Sequence, residues 1–348
     1  MTINEEYMRR ALQLARQGAG HTSPNPMVGA VIVAPDGTIV GEGWHRKCGE
    51  GHAEVNAVAS VSDANLLKDC TIYVTLEPCS HYGKTPPCAR LIIERGIQHV
   101  VVGCLDPFVK VSGRGVAMLR DAGIEVEVGV LEQECRELNK RFMTAHTAGR
   151  PWVQLKWAQT ADGYIALPPD AGENPLRMST PVTMRLMHRQ RSLCDAIVVG
   201  ANTARIDNPS LTTRYWPGNS PLRVVLSHNL SLPDNLKLFT DGLPTIVYNG
   251  VKNETAGAVE YVKMDTASPQ AWLEDLYRRG VTSVMVEGGT QVLQHMINAQ
   301  MWDEARIETS PRRVGQGVAA PVIEGAVISR HIIDGNTITT LAQTASLR

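Results

Sequence analysis

The sequence lacks a charge excess of either sign, and it lacks an apolar run long enough to cross a bilayer. Its 34 Lys and Arg residues are balanced by 35 Asp and Glu residues, for a formal net charge of -1. A general nucleic-acid binder would show a basic balance or stripe, so a small-molecule substrate is favoured. The amino-terminal stretch MTINEEYMRRALQLARQGAG carries charges where a signal peptide needs an unbroken apolar segment. We therefore expect a soluble, cytoplasmic protein without membrane or nucleic-acid partners.

The sequence also lacks the cysteine density of a disulfide framework, internal repeats and low-complexity tracts. Seven cysteines in 348 residues are typical of a reducing compartment, where cysteine is free to bind metal. The length suits two domains of ordinary size.

Alternating strand and helix patterns predict an α/β fold in each half of the chain. The first half has predicted helices over 5–17, 52–60, 88–95, 114–121 and 132–141, and predicted strands over 28–33, 38–43, 71–75, 99–102 and 125–130. The break Gly149-Arg150-Pro151 resets the pattern, which predicts domains over 1–148 and 149–348. The second half has predicted strands over 152–158, 196–199, 222–226, 245–248 and 283–286, and predicted helices over 271–279 and 291–299.

Three short motifs in the first half predict a catalytic zinc site. They are His52-Ala53-Glu54, Glu77-Pro78-Cys79 and Pro86-Pro87-Cys88. One histidine and two cysteines leave the fourth tetrahedral position to water, whose pKa zinc lowers to about 7. A nearby carboxylate must then move protons, and Glu54 is the candidate. The combination matches the H-x-E and P-C-x-x-C signature of zinc deaminases.

The spacing of the two cysteines departs from that signature. Eight residues, SHYGKTPP, separate Cys79 from Cys88, where the common deaminase pattern has two. This insertion carries His81, Lys84 and Thr85, which are typical phosphate contacts. A solvated loop is the alternative interpretation.

The first half resembles one known family, the bifunctional deaminase and reductase of riboflavin biosynthesis. The motifs that carry the resemblance are SPNPMVGAVIV, GEGWH, HAEVNA, TLEPCSHYGKTPPCA and DPFVKVSGRGV. The resemblance implies a cytidine-deaminase-like α/β/α sandwich, with one zinc held by His52, Cys79 and Cys88 and with Glu54 as the proton shuttle. A diamino-hydroxy-pyrimidine with a phosphoribosylamino group would become the corresponding aminouracil. The implied substrate contacts are Asn25, His45, His81, Lys84 and Asp106. Phe108 stands where the family usually has Asn.

The second half resembles the reductase domain of the same family, which implies a dihydrofolate-reductase-like α/β domain. The matching segments are Lys156 with Asp162-Gly163, DAIVVGANTARIDNPSLTTR over 195–214, and VEGGTQVL over 286–293. A strand that ends in Glu-Gly-Gly and enters a helix exposes amides to a cofactor phosphate, although such a turn is often only a tight connection. The implied reaction opens the ribosyl ring and delivers a hydride to C1′.

The resemblance also implies a set of binding residues in the second half. The implied NADPH contacts are Gln159, Arg177, Thr203, Asp207, His228, Gly289, Thr290 and Gln291. The implied substrate contacts are Lys156, Pro175, Ser179, Arg191, Leu211, Arg214 and Glu287. Two segments depart from the family. The segment PLRMS over 175–179 does not have the serine and the tryptophan at the positions where the family usually has them. At the second segment, Leu226-Ser227-His228 replaces an Ile-Asp-Ser type strand end.

Three alternatives remain open from the sequence. A nucleic-acid editing deaminase would share the H-A-E and P-C motifs but should show the shorter cysteine spacing and a basic stripe. A non-catalytic zinc scaffold would fill the fourth position, with Cys48 or Cys104 as candidates. A deaminase with a degenerate reductase domain is the third. We expect a homodimer or a larger homo-oligomer.

Overall fold

The structure is a computed structural model that describes residues 3–82, 86–108, 112–168 and 176–344. It divides into two compact units, Met1–Gly149 and Arg150–Arg348. The boundary expected from the sequence lay one residue earlier. In the described ranges, no helix has both the length and the apolar character needed to span a membrane.

The first unit is a five-stranded sheet with helices on both faces. Its elements are α1 (Ile3–Ala15), β1 (Gly29–Val33), β2 (Ile39–Trp44), α2 (Ala53–Ser60), β3 (Thr71–Leu76), α3 (Cys88–Glu94), β4 (His99–Cys104), α4 (Arg114–Asp121), β5 (Glu125–Val128), α5 (Glu132–Leu138) and α6 (Lys140–Ala148). The strand order is β2-β1-β3-β4-β5. One apolar cluster joins the sheet to α2, α3 and α4, and a second joins its other face to α1, α5 and α6.

The sheet topology brings the predicted site segments to one edge. The strand β1 is antiparallel to β2 and to β3, while β3, β4 and β5 are parallel. The strands β2, β3 and β4 therefore all end at the same edge, which we call the first carboxyl edge. Gly43 allows α2 to lie close to β2, since a Cβ atom there would be 2.3 Å from the Ala57 nitrogen. His45, Cys79 and Asp106 follow these strand ends.

The helix predicted over 132–141 is two helices, because Asn139 interrupts it. The buried Asn139 side chain accepts a hydrogen bond from the Met27 amide and donates one to the Met27 carbonyl, each at 2.8 Å. The carboxamide thereby pairs with a distant backbone segment, and the chain turns between α5 and α6.

The second unit is built on a ten-stranded sheet. Its elements are β6 (Trp152–Thr160), β7 (Tyr164–Ala166), α7 (Pro181–Ser192), β8 (Ala196–Gly200), α8 (Ala201–Asp207), β9 (Leu222–Leu226), α9 (Lys237–Thr240), β10 (Thr245–Asn249), β11 (Glu254–Ala256), β12 (Val259–Lys263), α10 (Pro269–Arg278), β13 (Ser283–Val286), α11 (Thr290–Asn298), β14 (Glu304–Ser310), β15 (Val318–Ala319), β16 (Ala326–Ile333) and β17 (Asn336–Ala342). The order is β11-β12-β10-β9-β8-β13-β6-β14-β17-β16, and β7 pairs with β15 separately.

Seven neighbouring strands of this sheet run parallel to one another, namely β12, β10, β9, β8, β13, β6 and β14. At one end β11 pairs antiparallel with β12, and at the other end β17 pairs antiparallel with β14 and β16 with β17. Successive residues of β8 and β9 enter two different apolar clusters, one containing α10 and α11 and the other α8 and α9. This alternation is expected for strands buried on both faces. The parallel strands all end at one edge, the second carboxyl edge, where Thr160, Ser227 and Glu287 lie at or just beyond strand ends.

Candidate active sites

His52, Cys79 and Cys88 meet at the first carboxyl edge. His52 precedes α2 in an extended conformation, Cys79 follows β3, and Cys88 is the first residue of α3. The His52 Nδ1 atom lies 3.6 Å from the Cys79 Sγ atom and 3.3 Å from the Cys88 Sγ atom. All three potential ligand atoms lie within 4.8 Å of one another. The structure thus brings together the three residues predicted to bind zinc.

The geometry of this donor set fits a zinc ion. Tetrahedral zinc with Zn–S bonds of about 2.3 Å and Zn–N bonds of about 2.0 Å places nitrogen and sulfur roughly 3.5 Å apart. A hydrogen bond from the Cys88 thiol, with a further one from His52, lowers the pKa of Cys79 to about 4. The lowered pKa favours the thiolate form of Cys79, which is the form of cysteine that binds metals.

Glu54 is buried beside the same three residues. It lies in the first turn of α2 and is 3% exposed. Burial, with the negative charge of Cys79, raises its pKa to about 6. The predicted proton carrier thus lies beside the predicted zinc ligands.

Asn25 and His45 form a hydrogen-bonded pair next to the zinc site. The Asn25 Nδ2 atom lies 3.2 Å from the His45 Nε2 atom, and His45 Nδ1 lies 3.1 Å from the Gly51 carbonyl oxygen. Burial lowers the pKa of His45, which favours the neutral ring. In that form, Nδ1 donates to the Gly51 carbonyl and Nε2 accepts from the Asn25 amide group. The His45 ring meets the His52 ring edge-on at 5.4 Å.

Two further predicted deaminase contacts, Asp106 and His81, lie near Phe108. The Asp106 carboxylate accepts a hydrogen bond from the Phe108 amide at 2.7 Å, and burial raises the pKa of Asp106 to about 6. His81 is exposed, with its ring 6.5 Å from the Phe108 ring. The other side of Phe108 packs on His146 at 5.0 Å. Lys84 lies outside the described residues.

The buried Glu77, which is 4% exposed, has no role in the predictions made from the sequence. Its carboxylate accepts hydrogen bonds from the main-chain amides of Asp106, Gly113, Gly115 and Val116. The glutamate of the E-P-C motif was visible in the sequence, but its partners lie 29 to 39 residues further along. Only the folded chain reveals the contact.

A buried ion pair marks the second carboxyl edge. Arg191 of α7 donates two hydrogen bonds to the Glu287 carboxylate, at 2.8 Å and 2.6 Å, and one to the Thr212 carbonyl at 3.1 Å. Burial opposes ionisation of Glu287, but the charge and hydrogen bonds of Arg191, helped by Lys156, outweigh it and lower the pKa to about 2. Arg191 and Glu287, both predicted to face the reductase substrate, are therefore hydrogen-bonded to each other.

The loop that carries Leu211 and Arg214 is fixed by α7. Leu211 is buried with a φ of 53°, and the Arg214 amide donates to the His188 Nδ1 atom at 3.0 Å. Burial, with the positive charges of Arg191 and Arg214, lowers the pKa of His188 to about 4, so this histidine is neutral. No motif in the sequence marks His188, whose partner is a backbone amide 26 residues away.

Ser179 is engaged by a buried carboxylate. Its hydroxyl donates to Glu308 Oε2 at 2.8 Å, and the same carboxylate accepts hydrogen bonds from Thr183 and Asn336. Arg177 is exposed, and its carbonyl accepts a hydrogen bond from Arg312. Pro175 lies outside the described residues.

The predicted cofactor residues form a less compact group. Gly289 precedes α11 with a φ of 57°, and a Cβ atom there would be 3.2 Å from the Thr203 hydroxyl oxygen. Thr290 donates to the Ala319 carbonyl at 2.7 Å, which fixes the first turn of α11. Among the others, Gln159 accepts a hydrogen bond from Trp157, His228 pairs with Thr266, and Asp207 and Gln291 are exposed.

Two protein families match this chain. Residues 151–344 match the RibD C-terminal domain, and residues 1–104 match the cytidine and deoxycytidylate deaminase zinc-binding region. The riboflavin biosynthesis protein RibD of Aquifex aeolicus is 40% identical over 324 residues, which cover 91% of this chain and 89% of the relative. The chain belongs to the RibD family.

Further RibD proteins support the same assignment over nearly the full length. RibD of Bacillus amyloliquefaciens is 40% identical over 336 residues, covering 93% of this chain and 88% of the relative. The crystal structure of a Thermotoga maritima diaminohydroxyphosphoribosylaminopyrimidine deaminase and 5-amino-6-(5-phosphoribosylamino)uracil reductase superposes with a TM-score of 0.89 at 36% identity. The superposition covers 98% of this chain and 99% of that structure.

RibD membership confirms the main predictions from the sequence. The chain is an enzyme of riboflavin biosynthesis, with a zinc-dependent deaminase domain and an NADPH-dependent reductase domain. The cytidine-deaminase-like and reductase folds expected for the two halves are confirmed. The match across both halves favours the bifunctional enzyme over the editing deaminase and the zinc scaffold.

Proposed function

We propose that the first unit deaminates diaminohydroxyphosphoribosylaminopyrimidine and that the second reduces 5-amino-6-(5-phosphoribosylamino)uracil, as described for the Thermotoga maritima relative. One observation carries the proposal for the first unit. The ligand atoms of His52, Cys79 and Cys88 converge within 4.8 Å, and the buried Glu54 lies beside them. These three residues would hold zinc, which supplies the activation of water.

In this proposal, Glu54 carries protons during deamination. Its carboxylate takes a proton from the attacking water, whose oxygen bonds to the ring carbon that bears the amino group. The same carboxyl then gives the proton to the departing nitrogen, so that the C–N bond breaks and ammonia leaves. The support for this role is that Glu54 is buried in the first turn of α2, two residues after His52.

We infer that Asn25, His45, His81, Lys84 and Asp106 hold the pyrimidine and its ribose phosphate. Two details of the described site support this. The Asn25–His45 pair has a fixed donor and acceptor arrangement, which suits recognition of a heterocycle. His81 is exposed and within 6.5 Å of Phe108, as a contact to a phosphate at the mouth of the site would be.

For the second unit we propose that substrate binds at the Arg191–Glu287 pair. When bound, NADPH would supply a hydride for C1′ of the substrate, whose C1′–O4′ bond would break as O4′ takes a proton. Because Arg191 is already bonded to Glu287 and Thr212, we expect Lys156 and Arg214 to supply positive charge to the phosphate. Ser179, Leu211 and the segment containing Pro175 would complete the substrate site.

For the cofactor we propose the residues around Gly289. The turn before α11 and the neighbouring Thr203 would face the NADPH phosphates, since amides at a helix start favour anions. The other proposed contacts are Gln159, Arg177, Asp207, His228, Thr290 and Gln291.

Replacing one cysteine tests the metal site. We expect Cys88→Ser to lose zinc and deaminase activity, because a hydroxyl is a poor substitute for a thiolate. Cys104→Ser is the matched control, since Cys104 is also buried but donates to the Thr75 carbonyl. Metal analysis of both variants decides: full zinc occupancy in Cys88→Ser would contradict its role as a ligand.

We also propose that the protein is cytoplasmic and that its domain boundary lies at residues 148–150.

We further propose that the protein forms a homodimer or a larger homo-oligomer. The support for association is β16, at one edge of the ten-stranded sheet, where Val327 is 56% exposed and Ile332 is 79% exposed. An exposed apolar edge strand invites pairing with a second copy. Analytical ultracentrifugation tests this, and a monomer at micromolar concentration would contradict it.

A further inference from the structure

Glu77 holds both ends of the segment that follows β4. Its Oε2 atom accepts hydrogen bonds from the amides of Asp106 at 3.2 Å and Gly113 at 2.9 Å. Its Oε1 atom accepts from Gly115 at 2.8 Å and Val116 at 3.2 Å. One buried side chain thus ties the end of β4 to the first turn of α4.

The four hydrogen-bond partners of Glu77 can all be satisfied by a carboxylate but not by a carboxamide. All four are N–H donors, and each oxygen of Glu77 receives two of them. A carboxylate offers two acceptor oxygens and no donor, whereas a carboxamide would turn an NH₂ group toward two N–H groups. The arrangement therefore distinguishes glutamate from glutamine, which have nearly the same shape.

A second close contact joins the Glu77-Pro78 segment to the first turn of α4. A Cβ atom on Gly115 would lie 1.9 Å from the carbonyl oxygen of Pro78. The first turn of α4 therefore lies directly against the residue that precedes Cys79. The link between Glu77-Pro78 and α4 does not depend on the carboxylate alone.

We infer that Glu77 is a positioning residue that sets Asp106 relative to the zinc ligand Cys79. Glu77 is two residues before Cys79 and binds the Asp106 amide, and the Asp106 carboxylate in turn binds the Phe108 amide. This inference rests on the proposed function, in which Asp106 contacts the pyrimidine substrate. A displaced Asp106 weakens substrate binding while His52, Cys79, Cys88 and Glu54 stay in place.

The first test is the steady-state kinetics of Glu77→Gln in the full-length, zinc-loaded protein. We expect the deaminase KM to rise about tenfold or more while kcat changes less than about threefold, because the variant alters binding rather than proton transfer. Zinc content and the reductase activity of the same chain should match the parent. Glu94→Gln is the control, since Glu94 is exposed and pairs only with Arg90 in the described structure.

Amide hydrogen exchange gives a readout that does not depend on activity. The amides of Asp106, Gly113, Gly115 and Val116 should exchange faster in Glu77→Gln than in the parent or in Glu94→Gln. Parent-like exchange at these amides would overturn the inference, because the carboxylate would then not be what holds them.

A double-mutant cycle separates positioning from general loop anchoring. If Glu77 acts through Asp106, the KM of Glu77→Gln with Asp106→Ala should equal that of Asp106→Ala alone. Additive effects, an unchanged KM, or loss of zinc in Glu77→Gln would each overturn the inference. If Glu77→Gln does not fold, Glu77→Asp replaces it, and the expected result is a smaller rise in KM in the same cycle. A parent without deaminase activity would instead refute the proposed function.

Discussion

At the scale of single residues, Glu287 shows how a buried carboxylate is kept ionised. Arg191 donates a hydrogen bond to each of its oxygens. Burial raises the pKa of Glu287, but the charge and hydrogen bonds of Arg191 lower it by more. The folded pKa of about 2 lies below the ordinary value of 4.5. A lowered carboxyl pKa stabilises the folded state at pH values above the ordinary pKa.

This gives a prediction for stability against pH. The contribution of Glu287, on the order of 3 kcal/mol, should be complete above about pH 4.5 and disappear as the pH falls toward about 2. Glu287→Gln should lose this dependence and also leave Arg191 buried without its partner, which costs about 3 to 5 kcal/mol. Urea unfolding at neutral and acid pH measures both effects.

Glu254→Gln is the control for that experiment. Glu254 pairs with Lys252 at the surface, where ion pairs contribute about 0 to 1 kcal/mol. Its unfolding should depend on pH as in the parent. Equal pH dependence in Glu287→Gln and the parent would contradict the assignment of the Arg191–Glu287 pair as a stabilising contact.

Glu54 carries the prediction for chemistry at the residue scale. Glu54→Gln keeps the size of the side chain but cannot take up a proton, so deamination should fall by about 10²-fold or more. Zinc content and reductase activity should not change. The measurement is ammonia release with metal analysis of the same sample. Near-normal turnover with zinc bound would rule out Glu54 as the proton carrier.

At the scale of elements, the break between α5 and α6 depends on one side chain. Asn139 is 3% exposed and pairs with both the amide and the carbonyl of Met27, two residues from Asn25. Asn139→Ala leaves the amide and the carbonyl of the half-buried Met27 without these partners, and each loss costs up to about 1 to 3 kcal/mol. We expect lower stability in urea unfolding and a higher deaminase KM. Asn139→Asp keeps the acceptor for the Met27 amide and tests the donor alone.

The outcome for Asn139→Asp separates the two hydrogen bonds. We expect a loss of stability comparable to that of the alanine variant, because the Met27 carbonyl would face an acceptor. If either variant were as stable as the parent, the carboxamide would not be the cause of the break.

Several elements could be predicted from the sequence because their signals are local. The strands β3, β9 and β13 are apolar runs bounded by turn residues, and the predicted ranges agree within one residue. The zinc site could be predicted for a similar reason, since each ligand sits in a short recognisable motif. Parallel strands then bring such motifs to one carboxyl edge.

Other elements could not be predicted because their stability comes from distant contacts. The helix α7 has a polar sequence, and its buried side chains bind partners 26 to 125 residues away. The strands β16 and β17 were not predicted, and β16 exposes side chains on both faces, which removes the period-2 pattern. Glu77 and His188 were missed because their partners are backbone amides elsewhere in the chain.

At the scale of the whole molecule, each unit contains its own apolar cores and its own candidate site. Arg150, the first residue of the second unit, donates to both oxygens of Asp303, at 2.7 Å and 2.9 Å. A cut on either side of this single residue therefore has different consequences for the second unit.

We predict that the fragment 1–149 keeps zinc and deaminates on its own. The fragment 150–348 should be more stable than 151–348 by about 3 kcal/mol or more, because the shorter fragment leaves Asp303 buried without its arginine. Urea unfolding compares the two. Equal stabilities would contradict the role of Arg150, and a folded, zinc-bound but inactive 1–149 would show that the units share a site.

The most direct test of the whole account follows one substrate by mass spectrometry. Zinc-loaded, full-length protein is given the diaminopyrimidine ribose phosphate, first without NADPH and then with it. We predict that one NH is replaced by O in the absence of NADPH, and that two hydrogens are added to that product only when NADPH is present. Deamination without any reduction would contradict the reductase, and an unchanged substrate mass would contradict the deaminase.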